Sequence, residues 1–182
     1  MRHYLLFCLL LGACVSSSCT KKNAREVDAS KWIKHTLDNK WVFTAPKDTK
    51  IVYLKGVDSV PGNIILSADS IKLEFDSGFE MSAMDTICNL GSEALHAKHE
   101  IERGSYKYLD KPDTLHNAQV DTVNGKIATI ITPMKTGRGT TDISISDCKS
   151  HTWIGIRGKN IPASKQELVL TIYRSLQQAD SK

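Results

Sequence analysis

The sequence predicts an α+β domain: a mainly antiparallel β-sheet flanked by helices, including a C-terminal amphipathic helix. Residues 71–76 (IKLEFD) alternate apolar and polar side chains without a break, which is the period of a half-buried strand. Asn124-Gly125 lies between two β-prone runs and is typical of a tight hairpin, because both turn residues adopt positive φ. Residues 164–178 repeat apolar side chains at helical spacing, which indicates an amphipathic helix.

The first half of the chain is predicted to contain a short helix followed by strands. Trp32, Ile33 and Leu37 give a weak helical pattern, which predicts a helix over 30–37. Glycines bound a loop over 56–62, and Ser77-Gly78 is expected to end the last strand of this half. The predicted strands are 41–45, which Pro46 ends, 50–55, 63–67 and 71–76.

The second half is predicted to follow the order helix, four strands, helix. A helix is expected over 92–103, where Gly104 ends it. Ser164 and Glu167 have the spacing of a capping box, which is predicted to open a final helix that reaches about residue 178. The predicted strands are 118–123, 126–132, 140–147 and 151–157.

Length and composition favour one folded domain, predicted over residues 31–182. The chain has 182 residues, of which 41% are apolar and 24% charged. One domain spans about 150 residues on average, so two full-sized domains are excluded, and this composition also excludes wholesale disorder.

The N-terminal segment has the pattern of an export signal. Arg2 and His3 precede an apolar run over 5–11 that is too short to span a bilayer as a helix. Residues 1–18 are therefore predicted to be a signal peptide, and it resembles the signal of bacterial lipoproteins, in which a cysteine at the cleavage site is acylated. The polar residues 19–30 are predicted to be a lipid-anchored tether, which implies a membrane-bound protein of the bacterial cell envelope, facing the periplasm or the surface.

Two cysteines compete for the lipid. Cys14 matches the lipoprotein pattern residue by residue but lies close to Met1, whereas Cys19 lies at a more usual distance and lacks the aliphatic residue three places before it. Acylation of Cys19 leaves two cysteines in the mature chain, an even number suited to an oxidising compartment. The count favours Cys19, with Cys14 as the alternative, and predicts a disulfide between Cys88 and Cys148.

Charge is distributed unevenly along the chain. Residues 58–102 contain nine acidic and two basic residues, while the segments on both sides are basic. No basic stripe with interleaved aromatic residues occurs, so nucleic acid is not an expected partner. The acidic middle indicates either a charge-balanced fold or a surface for a cation or a basic partner.

Two Asp-Ser pairs in this acidic segment form the candidate binding surface. If the strands run antiparallel as predicted, the loop with Asp58 and Ser59 and the end of the strand with Asp76 and Ser77 lie at the same end of the sheet. Carboxylates beside hydroxyls suit a divalent cation or a basic partner. The alternative is that both Asp residues form Asx-turns.

Two further patterns are weaker. Glu93, His96 and His99 share one face of the predicted helix over 92–103 and are weak candidates for metal ligands, against the alternative of a solvated face. Residues 135–141 (KTGRGTT) have the composition of an anion-binding nest or of a flexible hairpin loop. Neither pattern matches a complete catalytic or cofactor motif, and no cofactor is expected.

Three short motifs resemble a group of uncharacterised bacterial envelope proteins of PsbP-like α/β/α architecture. They are GVDSxxG over 56–62, FDSG over 75–78 and LxLxIxxSL over 168–176. The resemblance implies a non-catalytic binding or accessory domain. The alternatives are a divalent-metal-dependent enzyme with a site built from Asp and His residues (Asp58, Asp76, His96 and His99) and a structural or assembly partner of an envelope complex.

Overall fold

The computed structural model describes residues 27–79, 115–147 and 149–179 of the chain. These ranges contain ten strands and one α-helix, and all the strand pairs are antiparallel. The elements are β1 (Ile33–Leu37), β2 (Trp41–Ala45), β3 (Thr49–Tyr53), β4 (Gly62–Leu66), β5 (Ile71–Phe79), β6 (His116–Val123), β7 (Lys126–Pro133), β8 (Thr140–Asp147), β9 (Thr152–Lys159), α1 (Gln166–Arg174) and β10 (Gln177–Gln178).

The strands form two sheets. The small sheet has the order β1-β2-β10 and the large sheet the order β3-β4-β5-β9-β8-β7-β6. One hydrophobic core joins both sheets and the helix, with Trp41 and Phe43 from β2, Ile143 from β8 and Tyr173 from α1 all fully buried. At the centre of the large sheet, β5 pairs with β9, which comes more than seventy residues later in the chain.

The helix predicted over 30–37 is wrong, because this segment forms strand β1. All five residues of β1 pair with β2 across a tight turn in which Asp38 and Asn39 have positive φ. Of the three residues that gave the helical pattern, Leu37 is buried, Trp32 is partly buried and Ile33 is exposed. The apolar period at this position therefore did not mark a helix face packed on the core.

The predicted strands of the large sheet are confirmed within a few residues at their ends. The Asn124-Gly125 hairpin is present, with φ of 47° and 79°. The prediction that Ser77-Gly78 ends its strand is wrong, since β5 continues to residue 79. The extra residues pair with Thr152–Ile154 of β9 on one side, and Gly78 forms a bridge with Ser59 on the other.

The C-terminal amphipathic helix is confirmed, but it is shorter than expected and lacks the capping box. Residue 165 occupies the N-cap position without a side-chain cap, and the helix ends at Arg174. Gln166 is instead buried and donates a hydrogen bond to Thr141 Oγ1, and Glu167 Oε1 lies 3.2 Å from Arg174 Nη1. The described residues are thus mainly antiparallel sheet with one α-helix rather than a sheet flanked by several, and the helix predicted over 92–103 lies outside them.

The hairpin turn also holds the end of the helix. Asn124 Nδ2 donates to the carbonyl of Leu176 at 2.7 Å and to that of Arg174 at 3.3 Å. We expect Asn124→Gly, which keeps the turn conformation, to lower the free energy of unfolding by about 1 kcal/mol, because these carbonyls lose their donor. Urea denaturation measures the loss. Asp also tolerates positive φ, but its side chain has no N–H group to donate, so Asn124→Asp should lose stability as well. If both variants were as stable as the wild type, the role of the Asn124 side-chain amide would be contradicted.

Candidate functional site

The two faces of the large sheet differ in chemistry. Leu73, Phe75 and the isoleucines of β8 and β9 lie on one face, which packs on the core with α1. Because side chains alternate along a strand, the intervening residues lie on the opposite face, which we name the outer face. Its members on the central strands are Asn63, Ile65, Lys72, Glu74, Asp76, Trp153, Gly155, Arg157, Lys159 and Asp142.

The structure brings the two predicted Asp-Ser segments side by side. Ser59 pairs with Gly78, and Val60 and Ser77 exchange backbone hydrogen bonds of 2.7 and 3.3 Å. Asp58 is exposed in the loop before β4. The expectation that the strand ends at Asp76 and Ser77 is wrong, however, because both lie within β5, which continues to residue 79.

Asp76 and Ser77 consequently lie on opposite faces of the sheet. Ser77 is fully buried on the core side, where its hydroxyl donates to Asp38 Oδ2 at 3.3 Å. This hydrogen bond joins the large sheet to the turn between β1 and β2 of the small sheet. In the same turn, Lys40 Nζ lies 3.4 Å from Asp38 Oδ2. Asp76 lies on the outer face, and its Oδ1 is buried without a hydrogen-bond partner. A binding surface formed by Asp58, Ser59, Asp76 and Ser77 together stays a prediction.

Asn63 on β4 resembles Asp76 in one respect. The residue is 8% exposed, and its Oδ1 is also buried without a hydrogen-bond partner. The strand register places Asn63 opposite Glu74, so Asp76 is the next outer-face residue along β5, diagonal to Asn63. Sequence reasoning missed Asn63 because it reads as an ordinary first residue of a β-prone run.

Trp153 lies beside Asp76 on the neighbouring strand. A Cβ built on Gly78 would lie 3.4 Å from the indole Nε1, and one built on Gly155 would lie 3.6 Å from the Cζ3 atom of the same ring. The indole therefore extends over both glycines. Since Asp76 pairs with Gly155 and Gly78 pairs with Trp153, the ring runs along the outer face next to the Asp76 side chain.

The other charged side chains of the outer face form ion pairs with one another. Glu74 lies 3.8 Å from Lys72 and 3.7 Å from Lys159. Burial raises the pKa of Asp142, opposed by the hydrogen bond and charge of Arg157, whose Nε donates to Asp142 Oδ2 at 2.8 Å. Asp76 differs from these carboxylates because it forms no ion pair with a described residue.

Three backbone donors of the glycine-rich segment 135–141 already have acceptors within the protein. Gly139 N donates to Asn160 Oδ1 at 2.9 Å, and Thr140 N donates to His116 Nε2 at 2.8 Å. Arg138 N donates to the carbonyl of Lys135 at 3.2 Å. These amides are therefore not available to an anion, which favours the interpretation of a hairpin loop over that of a nest.

Several predicted site residues lie outside the described residues. They are Cys14, Cys19, Cys88, Cys148, Glu93, His96 and His99, so lipidation, the disulfide and the weak metal site all stay predictions. Within residues 27–79, 115–147 and 149–179, no group of three or more His, Cys, Asp or Glu side chains is arranged to hold a metal ion. The same ranges contain no helix that is long and apolar enough to cross a membrane.

Comparison with known proteins finds a likeness among solved structures. No protein-family model matches the chain, and no curated protein matches it. Among solved structures, the chain is similar to the solution structure of CyanoP, the cyanobacterial PsbP from Synechocystis sp. PCC 6803. A PsbP-like protein is a structural neighbour of this chain. The TM-score is 0.46 at 13% sequence identity, over 84% of this chain and 95% of that one, so the likeness is weak and concerns the fold alone.

Proposed function

We propose that this chain is a lipid-anchored, non-catalytic binding or accessory domain of the bacterial cell envelope. The observation that carries the proposal is the N-terminal sequence: a basic start, a short apolar run and a cysteine at position 19 followed by a polar tether. An acyl chain on that cysteine holds the folded domain at a membrane surface, facing the periplasm or the cell exterior.

The described residues support a binding role over a catalytic one. The outer face carries unpartnered acceptor oxygens on Asn63 and Asp76 beside the Trp153 indole, which suits recognition of a ligand or partner. No nucleophile with an adjacent base occurs in this arrangement, whose only titratable group is one carboxylate.

Lipidation of Cys19 is the first expected result. We expect mass spectrometry of the mature protein from its native membrane to find an acylated Cys19 as the N-terminal residue. Cys19→Ser should then abolish incorporation of an alkyne-labelled palmitate, because the only acceptor thiol at the cleavage site is lost. Cys14→Ser is the matched control and should retain the label. An unmodified N-terminus, or labelling that depends on Cys14 alone, would overturn this assignment.

A further inference from the structure

The connection between β3 and β4 carries a group of exposed apolar side chains. Residues 52–58 (VYLKGVD), which we name the β3–β4 tip, are all exposed, and four of these seven residues are apolar. Val57 is the extreme case, with 95% of its surface accessible, and Leu54 is 53% exposed. Single exposed apolar side chains are ordinary, but several that lie close together mark a surface for a partner or a membrane.

The tip presents apolar side chains on both faces of its hairpin. Leu54 N donates to the carbonyl of Pro61 at 2.9 Å, so the pairing of β3 with β4 continues beyond the strands. Because side chains alternate along a strand, Val52 and Leu54 lie on the outer face. Tyr53 lies on the other face, where its ring meets Phe75 edge-on at 5.8 Å. A protein that docks on one face of this hairpin would leave the other exposed, whereas a lipid layer surrounds both.

The charges of the tip are few and fit a phospholipid headgroup layer. Lys50 and Lys55 flank the apolar side chains, and neither forms an ion pair with a described residue. A lysine can lay its methylene groups on apolar surface while its ammonium group reaches a phosphate. Asp58 is the acidic residue of the tip, so residues 50–58 hold two lysines against one aspartate. Apolar contact rather than charge is therefore the main attraction.

The predicted tether keeps the tip within reach of a membrane. Tyr53 Oη donates to the Thr36 carbonyl at 3.5 Å and accepts a hydrogen bond from Asp38 N at 3.3 Å, so the end of β3 contacts β1. Thr36 is about 10 Å along the strand from Ile33, where β1 begins. The chain from Cys19 to Ile33 spans at most about 50 Å when fully extended. The tip can thus touch the lipid surface with the fold unchanged.

We propose that the β3–β4 tip contacts the phospholipid surface to which the chain is anchored. Leu54 and Val57 then lie at the boundary between headgroups and acyl chains, with Lys50 and Lys55 at the phosphate groups. Asp58 limits the depth of the contact, because a carboxylate is costly to place in hydrocarbon. The inference rests on the proposed lipid anchor and names the part of the domain that faces the membrane. This second contact fixes the orientation of the large sheet, which a tether alone leaves free.

Photocrosslinking of the full-length mature protein, reconstituted in vesicles of phosphatidylethanolamine and phosphatidylglycerol, tests the proposal. The reporter is p-benzoylphenylalanine, which replaces Val57 in one sample. In the matched control it replaces Met134, an exposed apolar residue that follows β7 at the opposite end of the large sheet. We expect mass spectrometry to find phospholipid adducts at position 57, with about tenfold fewer at position 134, because lipid reaches only a side chain that enters the layer.

A variant of a neighbouring residue removes the attraction without touching the reporter. Leu54→Ser should lower the yield of lipid adduct at position 57 by about fivefold, since it takes apolar surface out of the contact. Val120→Ser removes an equally exposed apolar side chain from β6, at the other edge of the described sheet, and should change the yield by less than about twofold. Thermal unfolding of each variant verifies that it is folded.

The outcomes are distinct from those of the lipidation experiment. Equal lipid adducts at positions 57 and 134, a yield that Leu54→Ser leaves unchanged, or a crosslink from position 57 to a second copy of the chain in place of lipid would each overturn the membrane contact. An acylated chain without a lipid adduct at position 57 would overturn the contact and leave the anchor intact. A chain that forms this adduct but has no acyl group would do the reverse.

Discussion

Replacement of Trp41 by Ala is expected to lower the free energy of unfolding by about 3–5 kcal/mol, because a large cavity replaces a buried aromatic side chain. Trp41 has no exposed surface and belongs to the core shared by both sheets and the helix. It lies on β2, the middle strand of the small sheet, and pairs with Leu37 on one side and Gln178 on the other. The whole stability of a domain is only about 5–15 kcal/mol, so this loss brings the chain near unfolding.

Trp41→Phe is the matched control for that experiment. The indole Nε1 of Trp41 is buried without a hydrogen-bond partner, so its removal relieves an unfavourable contribution while an aromatic ring remains. We expect Trp41→Phe to lose less than half as much stability as Trp41→Ala in urea denaturation followed by circular dichroism. Two variants of equal stability, or a loss of less than about 1 kcal/mol on replacement by Ala, would contradict the packing role of the ring.

Replacement of Asp147 by Asn is expected to make the protein less stable at neutral pH and to reduce its sensitivity to acid. Asp147 is 2% exposed. Its Oδ1 lies 2.8 Å from Lys126 Nζ, and its Oδ2 accepts a hydrogen bond of 2.8 Å from Ser150. Burial by itself raises the pKa of this carboxyl, but the hydrogen bonds from Lys126, Ser150, the amide of Lys149 and Gln178 outweigh it and lower the pKa from 3.8 to about 2.

The sign of the pH effect follows from that shift. Because the folded state holds the Asp147 carboxyl at a lower pKa than the unfolded chain does, its contribution is complete above the ordinary pKa. The contribution is then lost as the pH falls from about 5 towards 2. It amounts to at most about 2–3 kcal/mol, since one pKa unit corresponds to 1.36 kcal/mol. The stability difference between wild type and Asp147→Asn should therefore be largest at pH 7 and shrink towards pH 2.

Urea denaturation of both proteins at a series of pH values measures this difference. Burial of Asp142 raises its pKa and acts in the opposite direction, but it is present in both proteins and cancels in the comparison. Glu167→Gln is the control, because its ion pair with Arg174 is exposed and should contribute less than about 0.5 kcal/mol. A difference between wild type and Asp147→Asn that does not change with pH would show that the ion pair with Lys126 is not its source.

Local sequence patterns predicted the strands of the large sheet well, but they predicted strand β1 and the start of helix α1 poorly. The alternation of residues 71–76 and the Asn124-Gly125 turn are decided by short-range geometry, and both appear in the structure. Ile33 and Leu37 gave a helical spacing, yet pairing of β1 with β2 outweighs so weak a local preference. The capping box failed because Gln166 finds a buried partner in Thr141, a contact that no local pattern contains.

The candidate site was predicted in part for the same reason. Asp76 stood out because it is an acid in a strand beside a serine and a glycine. Its neighbours on the outer face come from the pairing of β5 with β4 and with β9, and the second of these joins residues far apart in the sequence. Trp153 therefore could not be linked to Asp76 before the strand order was known. The one sequence feature related to this contact is the pair of glycines, Gly78 and Gly155, whose lack of a side chain leaves room for the indole.

The order of the small sheet has a mechanical consequence for a chain held at its N-terminal end. A pull on the segment before residue 33 acts first on β1, which lies at the end of the small sheet and has β2 as its one partner strand in the described part of the chain. Its five residue pairs open one after another from the Ile33 end, which requires less force than shearing all of them at once. Strand β2 stays fastened on its other side by β10 and by the hydrogen bond from Ala179 N to the Lys40 carbonyl. The first hairpin thus yields before the load reaches the large sheet and its outer face.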